Sequence, residues 1–174
     1  MKIYLDRLPN PKNVKKINAA IGFETKVEPI DVFYIDPVDI KKFVLPDFLR
    51  GCNTINKPHQ EALFWLKVKG AEHLMKRATV MQKSFRDIGY ENFIGEIEYL
   101  KIDGEGSDLE ILMSAMEYFE DVPSALPKRI KFEHQHSDVN NLITTLRILT
   151  EKYGYRAKKL KYDYLLTLLH YIGV

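Results

Sequence analysis

The alternation of apolar strand-like segments with amphipathic helical ones between residues 97 and 169 constrains this fold more than any other feature. Residues 97–103 (IEYLKID) are rich in β-formers and end on an acidic residue before Gly104, the pattern of a buried strand. A helix is predicted from Ser107, with Asp108 behind it. Its face carries Leu109, Leu112, Met113 and Met116, and it ends near Phe119, ahead of Pro123 and Pro127. Residues 129–134 (RIKFEH) alternate Ile130 and Phe132 with charged neighbours and predict a second strand, followed by Ser137 and Asp138 as helix caps. The second helix has the stripe Val139, Leu142, Ile143, Leu146 and Leu149, and Gly154 sits where a left-handed terminus is wanted. Residues 155–161 and 164–169 then predict a hairpin turning around Asp163. Strand, helix, strand, helix, strand implies an α/β layer with mostly parallel pairing, because parallel neighbours need a long crossover; the final hairpin adds an antiparallel edge. In such sheets ligands sit beyond the carboxyl ends of the strands, where Asp103 and His134 fall.

The first half is less regular. Strands are predicted at 14–21 and 27–35, the second on an edge or starting late because of Pro29, and a short helix at 37–43. Residues 46–59 (PDFLRGCNTINKPH) read as a loop. A helix or strand near 61–68, a strand at 78–82 and a short helix at 84–88 follow.

Composition narrows the class. The 174 residues are 45% hydrophobic and 29% charged, the profile of one folded domain spanning residues 1–174. One cysteine, Cys52, excludes an internal disulfide and a cysteine-rich zinc module and suits a reducing compartment. A net charge of +2 gives no ground for nucleic acid or a membrane surface as partner. With no long apolar run and no secretory core at the start, the chain is expected to be cytoplasmic.

Three constellations could carry chemistry. Residues 103–107 (DGEGS) form a strand-to-helix turn, but Leu109 stands where a dinucleotide fingerprint needs glycine, and Asp103, Glu105 and Asp108 would repel a pyrophosphate. Those acids suit a cationic or hydroxyl-bearing ligand or a divalent ion, unless Asp103 and Asp108 only cap the helix. Glu133, His134 and His136 close the next strand, and a mixed carboxylate and imidazole metal site with Asp103 and Glu105 is conceivable, against histidines merely hydrogen-bonded at a strand end. The loop with Asn53, Asn56 and His59 is either a binding loop or a solvated connection, and Cys52 within it reads as a small packed residue.

The run 99–112 (YLKIDGEGSDLEIL) resembles the signature of FkbM-type methyltransferases, a strand of the form lKID-x-EG followed by x-(D/E)-L-E-(V/I)-L. Residues 18–22 (NAAIG) resemble that family's third strand, 45–59 a loop in one branch of it, 132–134 (FEH) the end of its fifth strand and 153–155 (YGY) the turn before its terminal hairpin. The resemblance covers roughly residues 13–165. It implies a Rossmann-like methyltransferase sheet that uses S-adenosylmethionine to methylate hydroxyl groups on sugars or small metabolites. Carried over, Asp103 and Glu105 would be catalytic acids, with His134 as a second base. Asp103 and Gly104 would border the donor, and Asn53, Asn56, His59 and Glu133 would bind a small-molecule or glycan acceptor. No metal is implied.

The resemblance also implies a glycine-rich donor loop ahead of the third strand, whereas residues 1–12 contain no glycine, so a family member short of its N-terminal βαβ unit is expected, with donor binding impaired. The edge beside residues 97–103 would then be bare, and either the third strand closes on it or two chains meet there as a homodimer. The rival readings are a non-catalytic remnant acting through association and a small metal-dependent hydrolase using Asp103, Glu105, His134 and His136.

Overall fold

A computed structural model of the chain describes residues 15, 17, 19–104, 106–135 and 137–169. Positions 14, 16 and 18 of the strand predicted at 14–21, together with Glu105 and His136, lie outside them. The chain divides into two compact units, Met1–Ala20 with Lys26–Gln82 and Ile21–Thr25 with Lys83–Val174.

In the first unit, β2 (Ile30–Ile35) is the centre of an antiparallel sheet between β3 (Thr54–Ile55) and β4 (Met75–Val80). It begins directly after Pro29, which has no N–H to give to a ladder. Helix α1 (Pro37–Lys42) starts at Asp36, whose carboxylate accepts the Val38 N–H at 2.9 Å, with proline at its first position. Ile35, Ile40, Leu45, Leu49 and Leu66, the last from α2 (Gln60–Val68), form the core, and Cys52 is packed among them. Residues 46–59 are more ordered than the loop expected. Asp47–Arg50 make a 3-10 turn and β3 joins the sheet, because Thr54 and Ile55 find free ladder positions opposite Phe33 and Val32.

In the second unit, α3 (Phe85–Asn92) is capped by Ser84, whose hydroxyl accepts the Asp87 N–H at 3.0 Å. Four strands follow: β6 (Tyr99–Lys101), β7 (Arg129–Glu133), β8 (Tyr155–Lys159) and β9 (Asp163–Leu168), in the order β6-β7-β9-β8. β6 and β7 are parallel, while the β8–β9 hairpin is antiparallel and pairs with β7 through β9. Helix α4 (Asp108–Asp121) is the crossover between the parallel pair, and α5 (Val139–Glu151) leads to the hairpin. Beyond the two units' own sheets, β1 (Ala20–Gly22) and β5 (Gln82–Ser84) form a two-stranded piece.

The alternation read from residues 129–134 holds: Ile130 and Phe132 are fully buried between charged neighbours. Leu112, Ala115, Met116 and Phe119 supply the buried line of α4, each large side chain contributing about 1.5–3 kcal/mol on leaving water. Leu109 and Met113 are half-buried at its flank. Asp138 caps α5 by accepting the Asn141 N–H at 2.9 Å, and Gly154 takes φ +75° after it.

Three expectations are corrected. The strand at 97–103 is three residues long, with Tyr99 and Lys101 exposed, because β7 is its sole ladder partner among the described strands. Among the described residues the anticipated closure of residues 18–22 on it is not found, since β1 pairs with β5. In α5, Val139 and Ile143 are 66% and 60% exposed, and the inward line is Leu142, Thr145, Leu146 and Leu149, rotated toward its polar threonine.

Candidate functional site

The carboxyl ends of β6 and β7 lie side by side in register, with Tyr99 opposite Arg129, Leu100 opposite Ile130 and Lys101 opposite Lys131. One further bond, Ile102 N–H to the Lys131 carbonyl at 2.8 Å, extends the ladder to the edge of the acidic turn. Asp103 therefore emerges next to the end of β7, as the strand pattern led one to expect. Its carboxylate is open to solvent, with 56% of the side chain exposed, and lies 2.5 Å from Lys101 Nζ. The two residues share a face of the extended chain. The Asp103 carboxylate, by hydrogen bond and then by charge, holds the Lys101 ammonium above the ordinary lysine range.

Lys101 faces another lysine across the ladder, an arrangement that repulsion would disfavour if both were bare. Each has its own acid: Lys131 Nζ lies 3.0 Å from Asp163. The rim thus carries a row of charges, Asp103, Lys101, Lys131 and Asp163, in which the two lysines are flanked by the two acids.

His134 follows β7 directly. Its N–H donates to the Tyr162 carbonyl at 3.0 Å, and its ring is tilted at 59° to that of Tyr164 with centroids 5.0 Å apart. Nε2 is buried and without a hydrogen-bond partner among the described residues. Glu133 is half-buried, and its N–H donates to Asp108 Oδ1 at 3.2 Å. Asp108, read from the sequence either as one acid of a ligand-binding turn or as a helix cap, is 1% exposed, and its other oxygen accepts the Gly104 and Gly106 N–H groups at 3.2 and 3.4 Å. Gly106 needs φ +100°, which favours glycine, and a Cβ on Gly104 would stand 2.8 Å from Ile111 Cδ1.

The remaining candidates belong to the first unit. Asn53 Nδ2 donates to the Arg50 carbonyl at 3.3 Å, and Asn56 adopts φ +65° with its N–H on the Asp31 carbonyl at 2.9 Å. His59 precedes α2 with Nδ1 buried and unpartnered among the described residues. Asn53 and Asn56 thus shape the turn around β3. Asp103, His134 and Glu133 are brought together in the second unit. Among the described residues no group of three or more His, Cys, Asp or Glu side chains could hold a metal ion, and no helix is long and apolar enough to cross a membrane.

The sequence model of the family described as "Methyltransferase FkbM domain" matches residues 2–157 of the chain. The chain belongs to the FkbM methyltransferase family. No curated protein and no solved structure matches it. The FkbM match makes this a methyltransferase domain, and the mixed α/β architecture, with a parallel pair leading into an antiparallel hairpin, agrees with that class. The matched span takes in both candidate strand ends and stops within β8.

The rim residues missed in the sequence are Lys101, Lys131 and Asp163. A Lys-x-Asp spacing at 101–103 could have pointed to the first ion pair, since alternate residues of a strand share a face. Asp108 stands out in the sequence as one acid of the turn, but its bond to the Glu133 N–H has no local signal, because strand register brings Glu133 to it from 25 residues away.

Proposed function

We propose that the chain transfers a methyl group from S-adenosylmethionine to a hydroxyl of a sugar or small metabolite, at the rim where β6 and β7 end. The observation that carries this reading is the parallel pairing of those strands within a methyltransferase-family chain, which leaves a carboxylate and an imidazole at adjacent strand ends. The residues present fit such a donor in kind. A solvated carboxylate at Asp103 suits a ligand with a sulfonium and an ammonium, and the half-buried His134 follows the adjacent strand end. When bound, S-adenosylmethionine supplies an electrophilic methyl group. Asp103 and Gly104 would border the donor, and Glu133 would contact the acceptor. His134 or Asp103 would orient the acceptor hydroxyl and take its proton, work of the order of 10²–10⁴-fold in rate. Most of the remaining acceleration would come from holding the reacting atoms in line.

Calorimetric titration with S-adenosylhomocysteine tests the reading. Binding that weakens at least roughly tenfold in Asp103→Ala is the expected result. No heat at millimolar ligand with the parent chain refutes it. A panel of sugars and small alcohols incubated with S-adenosylmethionine then identifies the acceptor by release of S-adenosylhomocysteine.

A second role, pairing of two copies, is favoured by the free flank of β6, which has β7 alone as partner among the described strands. Light scattering that returns a monomer mass at all concentrations disposes of it.

A further inference from the structure

Asp108 is the least exposed charged residue among the described ones and opens α4, where a carboxylate that only met the free N–H groups of its own helix would serve as an ordinary cap. Its bonds run elsewhere. Oδ2 accepts the N–H groups of Gly104 and Gly106 in the turn after β6, and Oδ1 accepts the N–H of Glu133 at the end of β7, 25 residues away. Ser107, the residue at the cap position, makes no side-chain cap bond. A buried carboxylate is retained only when its lone pairs are taken, and here three backbone donors take them.

The position of this tie matters. The last β6–β7 ladder bond is Ile102 N–H to the Lys131 carbonyl. Beyond it the two backbones part, one into the acidic turn and the other toward His134, and among the described residues the Asp108 carboxylate is the group that still joins them. The turn is shaped to present its amides: Gly106 is left-handed at φ +100°, and Gly104 is hemmed in by Ile111 and the start of α4.

We infer that Asp108 is a positioning residue of the methyl-transfer site, locking the turn that carries Asp103 to the strand end that carries His134 and so setting their spacing. This deepens the donor-binding reading and rests on it. The tie itself has a readout that needs no ligand, amide exchange, so the two can fail separately.

The test uses the full chain labelled with ¹⁵N. In the parent, the amides of Gly104, Gly106 and Glu133 exchange slowly. In Asp108→Asn, whose amide group must face N–H donors, they exchange roughly tenfold faster while Ile130 and Phe132 are unchanged. On addition of S-adenosylhomocysteine, the Asp103 amide and the His134 ring signals shift together in the parent. In the variant they respond separately, with affinity about tenfold weaker, a signature that a general loss of stability would not produce. Free exchange of the three amides in the parent overturns the inference, as does unchanged exchange, or joint response of the two signals, in the folded variant. Should Asp108→Asn not fold, Asp108→Glu carries the same measurements, its extra methylene being too long for a side chain this enclosed, and parental rates there overturn the inference too. A parent that exchanges slowly yet shows no response to S-adenosylhomocysteine sinks the donor reading and, with it, the role in positioning, while leaving the tie as an architectural feature.

Discussion

Replacing Gly89 by alanine should destabilise the chain, against the usual direction for a helix interior. Gly89 lies within α3, where alanine is ordinarily better by about 1 kcal/mol. A Cβ there would stand 2.7 Å from Cδ2 and Cε2 of Tyr118 and 2.8 Å from Cζ, closer than carbon atoms approach. The ring cannot easily yield. Tyr118 is 2% exposed, its hydroxyl donates to the Ile94 carbonyl at 2.5 Å, and edge contacts with Phe85, Tyr90 and Phe119 surround it at 5.2–6.1 Å. Overpacking costs about 1–3 kcal/mol, and displacing the ring far enough to lose the hydrogen bond adds about 1 kcal/mol. Set against the propensity gain, the net loss is about 1–3 kcal/mol. In urea, with m of roughly 1–3 kcal/mol/M, the midpoint falls by about 1 M at unchanged m. Gly95→Ala is the control: nothing lies within 4 Å of its Cβ position, and a gain of about 0.4–1 kcal/mol is expected. In a Tyr118→Leu background the cost of Gly89→Ala should shrink or reverse, a coupling that a double-mutant cycle reads directly. A Gly89→Ala protein as stable as the parent would refute the close-contact argument.

Three further outcomes are expected. Tyr155 is buried and donates to the Pro127 carbonyl at 2.5 Å, so Tyr155→Phe should cost about 1–3 kcal/mol in denaturant unfolding by leaving that carbonyl unpaired. Burial also pushes the Tyr155 phenol up. A raised folded pKa favours the native state below the unfolded value of about 10 and loses that contribution as pH climbs beyond it, so the parent's stability should fall in alkali more steeply than that of Tyr155→Phe. Phe93, 92% exposed at φ 52°, caps α3 in the left-handed region, and Phe93→Gly should raise the thermal midpoint, gaining about 0.5–1 kcal/mol. Lys101→Met should change stability by less than about 1 kcal/mol, because both members of its pair with Asp103 are more than half exposed, and a larger loss in urea unfolding would show that the charge row at the rim is structural.

Much of the second unit was legible in its sequence because the signals there are local. The stripe at Leu112 and Met116, the Asp138 cap, the alternation of Ile130 and Phe132 and the glycine at 154 each act within a few residues, and all appear where expected. The misreadings share a cause. Tyr99 and Lys101 look like members of a buried strand, but burial depends on which strands flank β6, and β7 is its one described neighbour. Val139 and Ile143 look like core by spacing, yet the helix turns Thr145 inward in their place. The turn formers of 46–59 hid β3, whose two residues become a strand only because β2 offers them a ladder.

By itself the sequence determined the kinds of element, the caps that start them, the acidic turn behind Leu100-Lys101-Ile102 and the family to which the chain belongs. Only the tertiary structure decided that Lys101 faces Lys131, that each lysine is held by its own acid, and that the Asp108 carboxylate reaches the backbone of Glu133, 25 residues away. The reason is physical. Caps and stripes are set by forces between residues a turn apart, whereas strand register and the burial of a carboxylate depend on the whole core closing around them.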